Sequence, residues 1–195
     1  MLTRRMFVFA AACLAATPVR AEGWQEKLVA AAESQIGRTI RYDPAYVKIG
    51  YPGGDVPIEL GVCTDVIIRA YRDGLGLDLQ KLVHEDMARN FAAYPGIWGL
   101  TKPDRNIDHR RVLNLQAFFR RKRAAMPVPD SAGNFAPGDL VTMMLPGNLP
   151  HIAIVSTQMN EAGTRPLVIH NIGGGTRRED VLSSYQITGH YRFGG

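Results

Sequence analysis

The chain changes its hydrophobic rhythm midway. Trp24 to Ile36 places apolar residues at helical spacing and stops at Gly37, and Cys63 to Tyr71 is an apolar helix that ends near Gly74 and Gly76. Leu79 to Phe91 reads as a further helix, and Asn114 stands where it could cap one running through Phe118 and Phe119 to the basic run Arg120 to Arg123. Between these lie Arg38–Gly61, rich in Gly, Pro and Tyr, and Tyr94–Val112, irregular and polar; both predict shaped loops. From Asp139 onward the period shortens. Asp139–Leu145, His151–Thr157, Pro166–Ile172 and Gln186–Phe193 are short apolar runs, and Gln158–Arg165 supplies a turn between two of them. Helices first and strands later predict an α+β fold, with the helices packed on one C-terminal antiparallel sheet.

The first 21 residues stand apart. Arg4 and Arg5 precede an apolar run from Met6 to Ala16, and Val19-Arg20-Ala21 has the small-x-small form of a cleavage site. That is a signal peptide, with Thr3-Arg4-Arg5-Met6-Phe7-Val8 fitting either ordinary secretion or the twin-arginine route. The apolar run is shorter than the roughly 20 residues that span a bilayer, so stable membrane insertion is not expected. A periplasmic or secreted chain of residues 22–195, folded as a single domain, is the expectation. Oligomeric state is not legible.

Composition then removes one class. Residues 1–21 hold Arg4, Arg5 and Arg20 and no acid, so the remainder has 20 Lys+Arg against 18 Asp+Glu. The overall charge of +5 falls to +2, which is poor footing for nucleic-acid binding. Of two cysteines only Cys63 lies beyond the leader, so no intrachain disulfide can form. A lone thiol in an oxidising compartment is a liability unless its chemistry is used.

Cys63 opens a helix in Gly61-Val62-Cys63-Thr64-Asp65. Free N–H groups and the positive end of the dipole there favour thiolate and can hold an oxyanion. Gly61 allows close backbone approach. His151 starts one strand and His170 ends the next. A hairpin centred near residue 161 sets them opposite or diagonal on one face, with Asn171 pointing the other way. Such a pair suits a base oriented by a third polar group.

The order Cys63, Pro137-Gly138-Asp139, His151, His170 resembles the papain-like cell-wall peptidases of the NlpC type. Over most of residues 37–193 the chain is also similar to the bacterial family called domain of unknown function 1287. The resembling stretches include Tyr42-Asp43-Pro44, Val83-His84-Glu85-Asp86-Met87, Pro103 to Arg111, Pro150-His151-Ile152, His170-Asn171-Ile172-Gly173 and Gly189-His190-Tyr191. The resemblance implies a papain-like α+β fold and a Cys63–His151–His170 triad, with Tyr42 at the oxyanion site and peptidoglycan peptides as substrates. Thr64-Asp65 departs from the Ser-Gly that usually follows the nucleophile; Asp65 could face away as a cap or shape the site. Arg110 and Arg111 could grip a substrate carboxylate. No metal and no cofactor is required.

Two other readings compete: a non-catalytic module that binds wall peptides on the same fold, and a metal hydrolase using His84, Asp108 or His109 with Cys63. His84 and Asp86 stand two apart and would not share a helix face; a salt-bridge network is the simpler account. Gly173-Gly174-Gly175 lacks the Lys-Ser/Thr of a phosphate loop. His190 reads as structural.

Overall fold

Residues 23–195 are described by a computed structural model; the leader expected at 1–21 lies outside the described residues. Helix α1 (Trp24–Glu33) precedes a long loop, which the strands β1 (Arg41–Tyr42) and β2 (Leu60–Gly61) tie together as a short parallel pair. Helix α2 (Cys63–Leu75) follows and ends on Gly76, whose φ of 67° is the left-handed cap that glycine adopts without cost. Then come α3 (Leu79–Asn90) and α4 (Val112–Arg121). The six-stranded antiparallel sheet is built from β3 (Ala125–Met126), β4 (Leu140–Leu145), β5 (Leu149–Met159), β6 (Pro166–Asn171), β7 (Thr176–Glu179) and β8 (Gln186–Tyr191), in the order β3-β8-β4-β5-β6-β7. The fold is α+β, helices then sheet. Among the described residues no helix is long and apolar enough to cross a membrane.

The central strands are apolar without alternation because both faces of the sheet are covered. Leu140, Ile152, Ile154 and Ile169 pack under α1, α2 and α4. Val141, Met143, Ala153, Val155 and Val168 form a second cluster closed by Phe135 and Leu182. Every residue from Cys63 to Tyr71 is buried, so α2 is the central strut of the domain.

Buried charges are accommodated in pairs. Arg69, on α2, reaches Asp55 at 2.9 Å, Thr39 at 2.9 Å and the carbonyls of Val56 and Leu60 at 3.1 and 3.0 Å, which fastens the long loop to the helix. Asp86 accepts from Arg121 at 2.6 Å and from Tyr94 at 2.7 Å, so the basic run at the end of α4 has a partner within the fold. Asn114 is not the cap of α4. The chain turns through a short 3-10 segment at Asp108–Arg110, Arg111 takes the cap position, and Asn114 is buried one turn in, donating to Asp108 O at 3.0 Å.

Asp139 of Pro137-Gly138-Asp139 is fully buried beneath His190 (2.8 Å) and Arg192 (2.7 Å), and also accepts from Ala136 N. Burial pushes its carboxyl up, but Arg192 and His190 more than offset this and hold it below the usual carboxylate range. The motif therefore staples β4 to β8. Asp139→Ala should lower stability by about 2 kcal/mol, since it leaves buried His190 without its acceptor, while the exposed Arg192 turns to solvent. Because the native carboxyl is depressed, the wild-type contribution is present above the unfolded value and lost as pH falls through the folded one. Urea unfolding at neutral and acid pH measures both effects.

Candidate active site

Cys63 is the first residue of α2 and is only 4% exposed, yet it lines a cavity of about 250 Å³. The backbone N–H groups of Ile152, Thr64 and Cys63 itself face the sulfur. Ile152 directly follows His151, so the helix tip abuts the start of β5. A Cβ at residue 61 would lie 3.2 Å from both Arg69 Nη1 and Asp65 Cβ, a crowding that glycine avoids. Gly61 O also accepts from Asn171 at 2.9 Å. This bond pins the turn before the cysteine to the end of β6.

The state of the sulfur differs from the expectation. Burial pushes the thiol up to about 12, outweighing the N–H groups that pull it down. His151 is pushed down to about 3, by burial and then by His170. Thiol and imidazole are thus each neutral at rest, where the helix tip alone had suggested a thiolate. The dipole contribution is real but small beside the loss of hydration.

The register places His170 diagonal to His151. Ile154 faces Ile169 and Val155 faces Val168, so continuation of the ladder sets His170 across from Ala153, two residues from His151 and on the same face. Their rings meet edge-on, with Nε2 of His151 2.8 Å from Nδ1 of His170. The far nitrogen of His170, Nε2, lies 2.8 Å from Oε2 of Glu179. Glu179 stands on β7, one diagonal further. In sequence it sits in a short polar run after three glycines, with no apolar alternation to mark a strand. The chain of partners fixes the tautomers. The carboxylate has only lone pairs to offer, so His170 Nε2 carries the proton. Neutral His170 then accepts at Nδ1, and His151 must donate from Nε2. His151 Nδ1 is left with its lone pair.

Tyr42 lines the same cavity, and its hydroxyl is raised to about 12 by burial and by the neighbouring Cys63 and Asp65. It remains an O–H donor at neutral pH. Asp65 does both things the sequence allowed. Its Oδ2 caps the helix by accepting from Val62 N at 2.7 Å, and its two oxygens take Nε and Nη2 of Arg110 at 2.9 Å each. Arg110 also donates to Ala45 O and Asp43 O, while Thr64 Oγ1 donates to Arg110 O at 3.0 Å. The Thr-Asp pair after the cysteine is thus a clamp on the segment from 104 to 111. Arg110 is spent inside the fold and is withdrawn as a substrate group. Arg111 differs: its guanidinium lies 4.2 Å over the ring of Trp98 at the cavity wall, and its one acceptor among the described residues, Asp108, is at 3.4 Å.

The residues of the metal reading do not assemble. Among the described residues no three or more of His, Cys, Asp and Glu converge. Asp86 is engaged by Arg121, His84 packs edge-on to Tyr51, and His109 is buried, where desolvation lowers it to about 3.

These elements define an α+β domain with a cysteine at a helix tip against the start of β5, and a His–His–Glu chain on the face of the sheet that carries Met143, Ala153 and Val168. The sequence model for the family described as domain of unknown function DUF1287 matches residues 29–193, and the chain belongs to that family. It is 54% identical over 162 residues to Uncharacterized protein YijF of Escherichia coli strain K12, covering 83% of this chain and 78% of the relative. Among solved structures it is similar to NlpC1 from Trichomonas vaginalis, with 12% identity and a TM-score of 0.45, over 89% of this chain; it spans 46% of that protein.

Proposed function

We propose that the chain is a papain-like cysteine hydrolase of the NlpC type, exported by its leader, that cleaves a peptide or amide bond in peptidoglycan peptides. The observation behind this reading is the ordered run from His151 through His170 to Glu179, which leaves His151 Nδ1 unprotonated on the strand whose next residue, Ile152, turns its N–H to the sulfur. Structural packing alone gives no reason to bury two histidines in series against a carboxylate.

In the reaction, His151 Nδ1 takes the proton from Cys63 Sγ as the sulfur attacks the carbonyl carbon. The oxyanion is held by the N–H of Cys63 and the hydroxyl of Tyr42. The imidazolium formed on His151 is stabilised through His170 by Glu179, which acts as a positioning residue. Nδ1–H then protonates the leaving amine as the C–N bond breaks, leaving a thioester on Cys63. Water, deprotonated by the same nitrogen, adds to the thioester; the acid departs and the thiol is restored. Starting from a neutral pair, the ion pair exists only after proton transfer.

The test is digestion of purified wall fragments by wild type and Cys63→Ala, with products identified by mass. Wild type is expected to release new amine and acid ends, and the variant none while keeping its fold. Equal product from both would end the proposal. The elevated thiol favours one second reading, a module that binds wall peptide without cutting it. In that case both proteins would retain fragments equally and neither would form product.

A further inference from the structure

The cavity beside Cys63 carries a chemistry of its own. Pro44, Ile97, Trp98, Ile107, Leu113 and Pro150 make its wall hydrocarbon, and at about 250 Å³ it has room for one amino-acid side chain. Two guanidinium groups reach that wall. Arg110 has given its N–H groups to Asp65, Asp43 and Ala45. Arg111 has not. It lies flat on Trp98 at 4.2 Å, held from one side by Asp108 at 3.4 Å, and Asp108's other oxygen is taken by the N–H of Asp104. Stacking fixes the plane of the guanidinium, so its remaining N–H edge is presented as a fork.

We infer that this cavity is a specificity subsite for an apolar residue bearing a free carboxylate, with the hydrocarbon wall taking the side chain and the stacked Arg111 holding the carboxylate through paired N–H bonds. A carboxylate fits the planar fork bidentately. A phosphate would bring more charge and more bound water than the one stacked guanidinium of Arg111 can match, since Arg110 is neutralised by Asp65. The place of this subsite in catalysis rests on the hydrolase reading; its ligand preference does not.

The experiment is therefore equilibrium binding to Cys63→Ala, followed on the indole N–H resonance of Trp98, assigned with Trp98→Phe. The probes are N-acetyl-leucine and N-acetyl-leucinamide, which differ only in the carboxylate. The acid is expected to shift Trp98 saturably and to bind at least about tenfold more tightly than the amide, the usual worth of a hydrogen bond to a charged group. Arg111→Gln should bring the two ligands within about threefold of each other. Arg111→Lys serves if Gln at this helix cap unfolds the chain: it keeps the charge but not the fork, and should lose most of the preference. No shift at Trp98, equal affinity of acid and amide, or a preference that survives the Arg111 substitution overturns the inference. Because the readout needs no turnover, the expected binding together with no product from wild type would sink the enzyme proposal alone. Turnover indifferent to the carboxylate would sink the subsite alone.

Discussion

His151→Ala is expected to lower kcat/KM by about four orders of magnitude on any substrate the wild type cleaves, with a fall in thermal midpoint of several degrees because buried His170 loses its partner. With a thiol raised to about 12 and no base beside it, the sulfur has no route to the nucleophilic form at neutral pH. The loss should diminish along the chain of partners. Glu179→Gln keeps an acceptor for His170 but removes the charge, and should cost about 10- to 100-fold in kcat with KM unchanged, the worth of one charge-assisted bond that strengthens in the transition state. His170→Ala should fall between. The pH profile separates this mechanism from a preformed thiolate–imidazolium pair. The active form needs neutral His151, whose value is lowered from 6.5 to about 3, so the acid limb of kcat/KM should lie well below the ordinary histidine range. A preformed pair would instead lose rate on the alkaline side as its imidazolium lost the proton. Rates across the acid and alkaline ranges for wild type and Glu179→Gln decide it. A Glu179 that only packs would leave the profile unmoved.

Asp65→Ala should be the most damaging change to stability, at about 3–5 kcal/mol, because it strands the buried guanidinium of Arg110 and uncaps α2 at Val62. For a domain of this size that is a fall in Tm of roughly 10 °C or more. The cost belongs to the unpaired partner, so the double variant Asp65→Leu/Arg110→Met should recover a large part of it. Activity should not recover in parallel. Arg110 also carries the segment that brings Arg111 to the cavity, and losing its bonds to Ala45 and Asp43 frees the loop after Tyr42. Calorimetry with steady-state rates on the single and double variants separates scaffold from site. Full stability in Asp65→Ala would show that the clamp is not what holds this wall.

The positions of Cys63, His151 and His170 were legible because strand alternation and a helix start are short-range rules, and the hairpin register needed only the turn to be placed within a residue. The α+β order followed from the change of period. Glu179 was not legible: β7 is four polar residues long, without apolar alternation to mark a strand, and its meaning comes only from lying diagonal to His170. The roles of Arg110 and Arg111 look alike in sequence, adjacent and equally basic. Only the turn at Asp108–Arg110 sends one inward to Asp65 and leaves the other on Trp98. The protonation of Cys63 was misjudged because the helix end is visible in the sequence, whereas the depth at which it is set is not. Arg69 is illegible for the same reason: an arginine inside an apolar helix shows its purpose only when the loop it fastens is in place.

The proton retained by Cys63 has a consequence beyond turnover. Peroxide, oxidised glutathione and metal ions all attack or capture the deprotonated sulfur far faster than the protonated one. A sulfur held in its protonated form by burial should oxidise slowly in air. Long shelf life in the absence of thiol reagents is what this arrangement implies.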